Sequence, residues 1–222
     1  MSDENIFYAP WPVKLPEASP PEPEPVWELA MLQPRQGHWT IERYLELTDG
    51  ENWPIEFSRG RLDFLPMPTR AHQLIVGFLY RLLFDFVQAG QLGEVFPGGV
   101  RVTPSEGDFR IPDLLYLAQS DQAKLGGDRF FQGASLMMEV VSPDHKSRKR
   151  DYEEKRRDYA AGGVQEYWIV DPQDAQITVL TLPAGAHEYA EHGVFTPGEA
   201  ATSKLLDGFA VDVKACFDAA EA

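Results

Sequence analysis

Glu139 stands where a buried β-strand is expected, which is an unusual place for a carboxylate. It lies within the apolar run Ser135–Val141, and alternation along a strand would place it on the same face as the apolar Met137 and Val141. Glutamate is rarely fully buried unless it is ion-paired or bound to a metal, because removing its charge from water is costly. Glu139 is therefore either a salt-bridged structural residue or part of a functional site.

Asp113 is a second acid at a strand, and it opens the apolar run "DLLYL" directly after a proline. Taken alone, an aspartate after proline is common turn chemistry. Two carboxylates on neighbouring strands could instead hold a hard divalent cation such as Mg²⁺, which takes one or two protein carboxylates and keeps several waters. Mg²⁺, or Mn²⁺ in its place, is the cofactor that this pair predicts.

A basic segment follows Glu139 and is predicted to be helical from about Ser147 to Ala161, with the Gly162-Gly163 pair as its stop. Residues 145–159 contain seven Lys or Arg and four Asp or Glu, a local charge of +3 in a chain of −15. Four cations stand at the helix start: Lys146, Arg148, Lys149 and Arg150. The helix macrodipole opposes cations there, and a bound phosphate would offset them. Ion pairs on a solvated helix face are the alternative.

Lys155 is predicted to lie on the inward face of this helix. At 100° per residue, Tyr159 lies about 20° and Lys155 about 60° to the same side of Tyr152. An inward lysine needs a carboxylate or a ligand, unless its stem packs and its amine reaches water. Asp113, Glu139 and Lys155 together provide the groups for metal-assisted phosphodiester hydrolysis, in which the lysine orients or deprotonates the water or stabilises developing charge.

The surrounding pattern predicts an α/β fold with a central mixed β-sheet flanked by helices. The clearest helix is expected over residues 71–88. Strands are expected around Gly99–Thr103, Ile111–Leu117 and Ala134–Val141, with hairpins at "IEFSRGRLDF" and "EYWIVDPQDAQITVL". Residues 39–222 should form one domain, and residues 1–38 an extended proline-rich arm, because residues 9–25 hold seven of the eighteen prolines.

Charge and cysteine content narrow the function classes. A net charge of −15 argues against a protein that coats nucleic acid, because such non-specific binding is driven by Lys and Arg. It still permits a local basic site. The single cysteine, Cys216, excludes an internal disulfide and fits a reducing cytoplasm. No signal peptide or membrane span is expected, and no dinucleotide or phosphate-loop motif is present.

Four stretches resemble the PD-(D/E)XK nuclease superfamily and, within it, the Uma2 group of restriction-endonuclease-like proteins: "IPDLLYL", "MMEVVSP", "RDYEEKRRDYAAGGVQEYWIVDP" and "KLLDGFAVDV". The likeness runs from about residue 40 to 213. It implies a restriction-endonuclease-like core, with Asp113 and Glu139 as the metal-binding acids. The superfamily's lysine is expected two residues after the glutamate, where this chain has Val141. The resemblance implies that Lys155 takes over that role and that the Val141 carbonyl still binds the metal.

Two more residues match positions of the family, Glu56 in "IEFSRG" and His72 at the start of the long helix. An edge-strand salt bridge and a solvent-facing helix start are their structural alternatives. The resulting expectation is an endonuclease acting on nucleic acid, with DNA the expected polymer and a homodimer left open. Two alternatives remain: a nuclease-fold binding module with weak turnover, and a metal-dependent hydrolase of a small phosphorylated substrate.

Overall fold

The structure is a computed structural model that describes residues 33–49, 53–105, 107–125 and 130–221. Contacts divide the chain into two units, Met1–Arg35 and Gln36–Ala222. The predicted arm, residues 1–38, lies mostly outside the described residues and stays a prediction. Its last part belongs to the second unit, because the Gln36 side chain exchanges two 2.8 Å hydrogen bonds with the backbone of Leu62.

A short helix and a β-hairpin begin the described fold. Helix α1 (Ile41–Thr48) is followed by strands β1 (Ile55–Ser58) and β2 (Arg61–Phe64), which pair antiparallel. The predicted turn at Arg59-Gly60 is confirmed, and both residues have positive φ, as a two-residue hairpin of type I′ requires.

Helix α2 and a six-stranded mixed sheet form the body of the fold. Helix α2 spans Arg70–Gly90 and begins at the capping residue Thr69. The sheet strands are β3 (Gly93–Pro97), β4 (Leu114–Ala118), β5 (Leu136–Val140), β6 (Glu166–Asp171), β7 (Gln176–Thr181) and β8 (Ala190–Phe195). They lie side by side in chain order, and every pair is antiparallel except β5–β6. This is the mixed sheet with flanking helices that the sequence predicted.

The parallel β5–β6 pair requires a crossover, and the basic helical segment supplies it. The segment has three consecutive parts: α3 (His145–Lys149), a π-helical turn (Arg150–Lys155) and α4 (Arg156–Ala161). It begins two residues earlier than predicted, because Asp144 caps it by accepting the backbone N–H of Ser147. Its end at Gly162 is as predicted.

The sheet is covered on both faces, so β5 is buried along its whole length. Leu136, Met138 and Val140 pack with α2 in one apolar cluster. Met137 and Val141 pack in a second cluster with Tyr159 of α4. Glu139 shares the second face, and its side chain therefore points towards the basic helical segment.

The C-terminal part adds a small hairpin and a final helix. Strands β9 (Ala200–Thr202) and β10 (Ala210–Asp212) pair antiparallel, and helix α5 spans Val213–Asp218. Within the described ranges, no helix is long and apolar enough to cross a membrane.

The edge strand of the sheet differs from the prediction. The pattern placed a strand around Gly99–Thr103, whereas the strand is Gly93–Pro97, and Val102 makes only isolated bridges to Arg110 and Phe131. The alternating valines at 100 and 102 gave the misleading signal. Residues 98–101 instead form part of a cavity wall.

Candidate active site

The register of the sheet brings Asp113 beside the end of β5. Leu114 pairs with Met138, so the residue before β4 lies next to Glu139 and Val140. The Oδ2 atom of Asp113 accepts the backbone N–H of Val140 at 2.8 Å. The two predicted acids therefore lie at the same end of neighbouring strands.

Lys155 is held by two carboxylates in the corner that Asp113 and Glu139 form beside the ends of β4 and β5. Its Nζ lies 2.8 Å from Glu139 Oε1 and 3.1 Å from Glu56 Oε1. Only 2% of the side chain is exposed, so the amine does not reach solvent. Burial works against the ammonium form, but Glu139, Glu56 and Asp151 outweigh it and raise the pKa of Lys155, which keeps the cation charged.

Glu56 joins Lys155 to a buried arginine. Its Oε2 lies 3.0 Å from Arg110 Nη1, and its Oε1 accepts the backbone N–H of Ile111 at 3.0 Å. Burial would raise the pKa of Glu56, but Lys155, Arg110 and Arg150 together lower it to about 2. The Glu56 carboxylate is therefore ionised, and both of its oxygens have partners. It is suited to holding the Lys155 amine in a fixed position.

Glu139 is in a different electrostatic state. It accepts hydrogen bonds at Oε1 from the Tyr159 hydroxyl at 2.6 Å and from Lys155. Burial raises the pKa of Glu139 to about 8, with Lys155 opposing the shift and Asp113 and Asp151 adding to it. Burial and the neighbouring acids thus favour the neutral form of Glu139 more strongly than the nearby cations favour its charged form.

His72 is the neighbour of Asp113 from α2. Its Nε2 lies 3.2 Å from Asp113 Oδ2, and its side chain is 12% exposed. Burial lowers the pKa of His72, but the hydrogen bond and charge of Asp113 outweigh it and raise the pKa. His72 is therefore placed to orient Asp113, whereas the sequence also allowed a solvent-facing helix start.

A cavity of about 1060 Å³ opens onto this corner. Its charged and ionisable lining comes from Asp49, His72, Arg101, Asp113, Glu139, Arg150, Asp151 and Lys155. Aromatic lining comes from Trp53, Phe96, Phe130 and Phe131. The described wall is thus mixed in charge and partly aromatic, and it is not a basic groove.

The four cations at the start of the basic segment are mostly paired within the protein. Lys146 Nζ lies 2.7 Å from Asp63 Oδ1, and Arg148 forms 2.6 Å ion pairs with Asp171 and Asp174. Arg150 is buried, 3.5 Å from Asp151. Lys149 is exposed and has no ion pair within the described part of the chain. Carboxylates of the protein therefore supply much of the anionic charge that a phosphate was expected to bring.

The donor set fits a hard divalent cation of the Mg²⁺ type. All described hydrogen bonds of Asp113 go to Oδ2 and those of Glu139 to Oε1. One oxygen of each carboxylate is therefore left for a ligand, which matches the one or two protein carboxylates that Mg²⁺ takes. Within the described residues, no three His, Cys, Asp or Glu side chains are already gathered as a metal site.

Val141 is not placed at the cavity as directly as Asp113 and Glu139 are. Val140 and Ser142 line the cavity, whereas the described lining does not include Val141. The Val141 side chain packs in the second apolar cluster, and its N–H donates to the carbonyl of Val170 at 2.8 Å. Its carbonyl remains a proposed metal ligand.

Sequence reasoning missed three residues of the corner. Asp151 lines the cavity, Tyr159 donates to Glu139, and Arg110 pairs with Glu56 and, at 2.6 Å, with Asp158. Helical spacing places Tyr159 and Lys155 on one face, and this is the available signal for the tyrosine. Asp151 and Arg110 gave none, because an acid within a charged helix and an arginine between loops are normally exposed.

Comparisons with known proteins identify the family. The family model described as "Uma2: Putative restriction endonuclease" matches residues 41–214. A solved structure described as "a putative nuclease belonging to DUF820 from Anabaena variabilis" has the same fold, with a TM-score of 0.67 and 18% identity. The match covers 82% of this chain and 98% of that one. The search of curated proteins gave no match.

Proposed function

The chain belongs to the Uma2 family of restriction-endonuclease-like proteins, and we propose that it is a metal-dependent endonuclease that hydrolyses phosphodiester bonds of DNA. One observation carries this proposal. Two strand-end carboxylates, Asp113 and Glu139, line one cavity with a lysine whose Nζ lies 2.8 Å from Glu139. That arrangement supports metal-assisted phosphodiester hydrolysis better than it supports a purely structural salt bridge.

The proposed roles follow from the contacts. Asp113 and Glu139 would hold Mg²⁺ or Mn²⁺, with the Val141 carbonyl as a further ligand. When bound, such a cation supplies an acidified water molecule and offsets negative charge on the phosphate. His72 orients Asp113, and Tyr159 orients Glu139, by the hydrogen bonds that they make to one oxygen of each carboxylate.

Lys155 has an electrostatic role in this proposal. Because its pKa is raised, the amine remains a cation and is a poor proton acceptor. A fixed ammonium in a site shielded from water stabilises negative charge that develops on a phosphate in the transition state. Glu56 holds the amine through its Oε1, and Arg110 pairs with the other oxygen of Glu56.

Phosphate contacts of the polymer are proposed for the start of the basic segment. Lys149 is exposed and has no ion pair among the described residues, whereas Lys146, Arg148 and Arg150 would each have to leave or share a carboxylate. A reducing cytoplasm is the proposed location, because the one cysteine of the chain, Cys216, is a buried free thiol.

The cavity wall favours a second candidate, a hydrolase of a small phosphorylated substrate. The described lining has four acidic side chains against three Lys or Arg, and two of those cations, Arg150 and Lys155, already contact carboxylates. Polymer binding depends on cations that release counterions from phosphates, and this wall offers few. A small phosphodiester would need fewer such contacts.

The test is a cleavage assay with the full-length chain and Mg²⁺, Mn²⁺ or EDTA. Substrates are supercoiled plasmid, a labelled DNA duplex, a labelled single-stranded RNA and a small aryl phosphodiester. The proposal predicts cleavage of DNA that requires the metal and stops with EDTA. Turnover of the small diester without cleavage of either polymer would favour the second candidate, and no turnover of any substrate with either metal would contradict both.

A further inference from the structure

Asp151 is a buried carboxylate with an incompletely used oxygen. It is 3% exposed and lines the same cavity as Asp113 and Glu139. Its Oδ1 is buried and has no hydrogen-bond partner. The two nearest cations, Arg150 Nε and Lys155 Nζ, lie 3.5 and 3.6 Å away. Buried polar atoms are almost always hydrogen-bonded, so this oxygen calls for an explanation.

The amine of Lys155 has one more donor than it has close partners. An ammonium group has three N–H donors, and two of them have close acceptors in Glu139 and Glu56, at 2.8 and 3.1 Å. Asp151 Oδ1 is the third carboxylate oxygen around the amine and lies just beyond hydrogen-bond distance. A movement of about 0.6 Å would bring it to an ordinary hydrogen-bond length.

We propose that Asp151 is a positioning residue that takes over the Lys155 ammonium when a divalent cation binds at Glu139. The inference rests on the proposed metal site. A divalent cation at the other oxygen of Glu139 would weaken the hold of this carboxylate on the ammonium and repel the ammonium at close range. Glu56 can stay bonded to Lys155 through Oε1, because Arg110 contacts its other oxygen, Oε2.

The π-helical turn makes this exchange a side-chain movement. Asp151 and Lys155 belong to the same turn, Arg150–Lys155, and are four residues apart. The turn is fixed by the Tyr167 hydroxyl, which donates to the backbone carbonyl of Asp151 at 2.9 Å. Such turns within α-helices are frequent at functional sites. The amine can therefore change acceptors while the backbone stays in place.

The experiment is a double-mutant cycle read by Mn²⁺ binding. Mn²⁺ is titrated calorimetrically into the wild type, Asp151→Asn, Lys155→Met and the double variant. We expect Asp151→Asn to weaken Mn²⁺ binding about fivefold or more when Lys155 is present, because the amine then stays on Glu139. In the Lys155→Met background the same change should have a clearly smaller effect. Glu153→Gln, an exposed acid of the same turn, is the charge-matched control and should leave binding unchanged.

Melting curves accompany every titration, and Asp151→Ser replaces Asp151→Asn if the latter does not fold. Equal or larger loss of Mn²⁺ affinity in the Lys155→Met background would make Asp151 a direct ligand and overturn the inference. A lowered melting temperature with unchanged Mn²⁺ affinity would make Asp151 structural and overturn it too. Both outcomes leave the proposed metal site intact. A wild type that binds no Mn²⁺ contradicts that site and this inference together.

Discussion

At the scale of single residues, two buried glutamates on neighbouring strands show what distinguishes the site. Glu166 of β6 accepts from Trp168 Nε1, Ser203 Oγ and the backbone N–H groups of Lys204 and Leu205, at 2.7 to 2.9 Å. Both of its oxygens are used, which ties the C-terminal loop to the sheet. Glu139 uses one oxygen and faces the cavity, so it has capacity left for a ligand.

Replacing Lys155 by Met should separate turnover from metal binding. Methionine keeps most of the buried stem and removes the charge that stabilises the transition state. We expect DNA cleavage to fall about 100-fold or more, while Mn²⁺ affinity is unchanged or higher because a competing cation is gone. Cleavage rates and calorimetric titration measure the two effects.

The control for this change is Lys214→Met, which removes an exposed lysine paired with Asp218 on α5. It should alter neither quantity. A Lys155→Met variant that cleaves as fast as the wild type would remove Lys155 from the proposed machinery.

Part of the site could be predicted from the sequence, and the rest depends on contacts between distant segments. Glu139 and Lys155 stood out because a charge on an apolar strand or an inward helix face is costly. The pairing of Arg110 with Glu56 joins residues 54 positions apart, and no local pattern indicates it. Glu166 also lies in an apolar strand, so the cost of burying an acid could not by itself separate it from Glu139, and only the family resemblance did.

At the scale of elements, the basic segment is positioned by its end as well as by its contacts with β5. Gly162 closes α4 against the backbone of Pro104, and a Cβ built at this glycine would lie 1.6 Å from the Pro104 carbonyl oxygen. No side chain fits there unless the backbone moves. The glycine therefore lets the end of α4 approach the loop that carries Pro104.

Gly162→Ala should destabilise the protein by about 1–3 kcal/mol, because the added methyl overpacks against backbone. Gly77→Ala is the matched control in α2, where the nearest atom to a new Cβ is Arg81 Nη1 at 3.6 Å. Alanine favours a helix interior over glycine, so this control should stabilise by about 0.5–1 kcal/mol. Urea unfolding measures the free energy of unfolding of both variants. Equal stability of the two would contradict the close approach of Gly162 to Pro104.

At the scale of the whole molecule, the charge distribution is the main departure from an ordinary nucleic-acid-binding protein. The net charge is −15, and three of the four cations expected to meet phosphate have carboxylate partners in the protein. Under the proposed function, recognition of a polymer would rely on a bound divalent cation and on the cavity wall more than on these four cations. A central mixed sheet with flanking helices could be predicted from the pattern of elements, whereas the edge strand of the sheet and this pairing of charges could not.

The proline-rich arm is predicted to contribute little to the stability of the body. Its prolines cannot support a helix or a central strand, and the body has its own apolar clusters. Deleting residues 1–32 should shift the melting temperature by less than about 3 °C, which corresponds to about 1 kcal/mol in a chain of this size.

Deleting residues 1–38 is the matched comparison, because it also removes Gln36 and its two hydrogen bonds to the backbone of Leu62. This longer deletion should lower the melting temperature further. A sharp loss of stability already in the shorter deletion would show that the arm packs as part of the fold.

We propose that Glu139 holds a catalytic metal ion, and the Glu139→Gln variant tests this role. The change keeps the shape of the side chain and removes the negative charge with which it would bind the metal ion. It should weaken Mn²⁺ binding in calorimetric titration and slow plasmid cleavage about 100-fold or more. Glu166→Gln, the other buried strand glutamate, should lower the melting temperature and leave Mn²⁺ affinity unchanged. An active wild type beside an equally active Glu139→Gln variant with unaltered Mn²⁺ affinity would contradict the account.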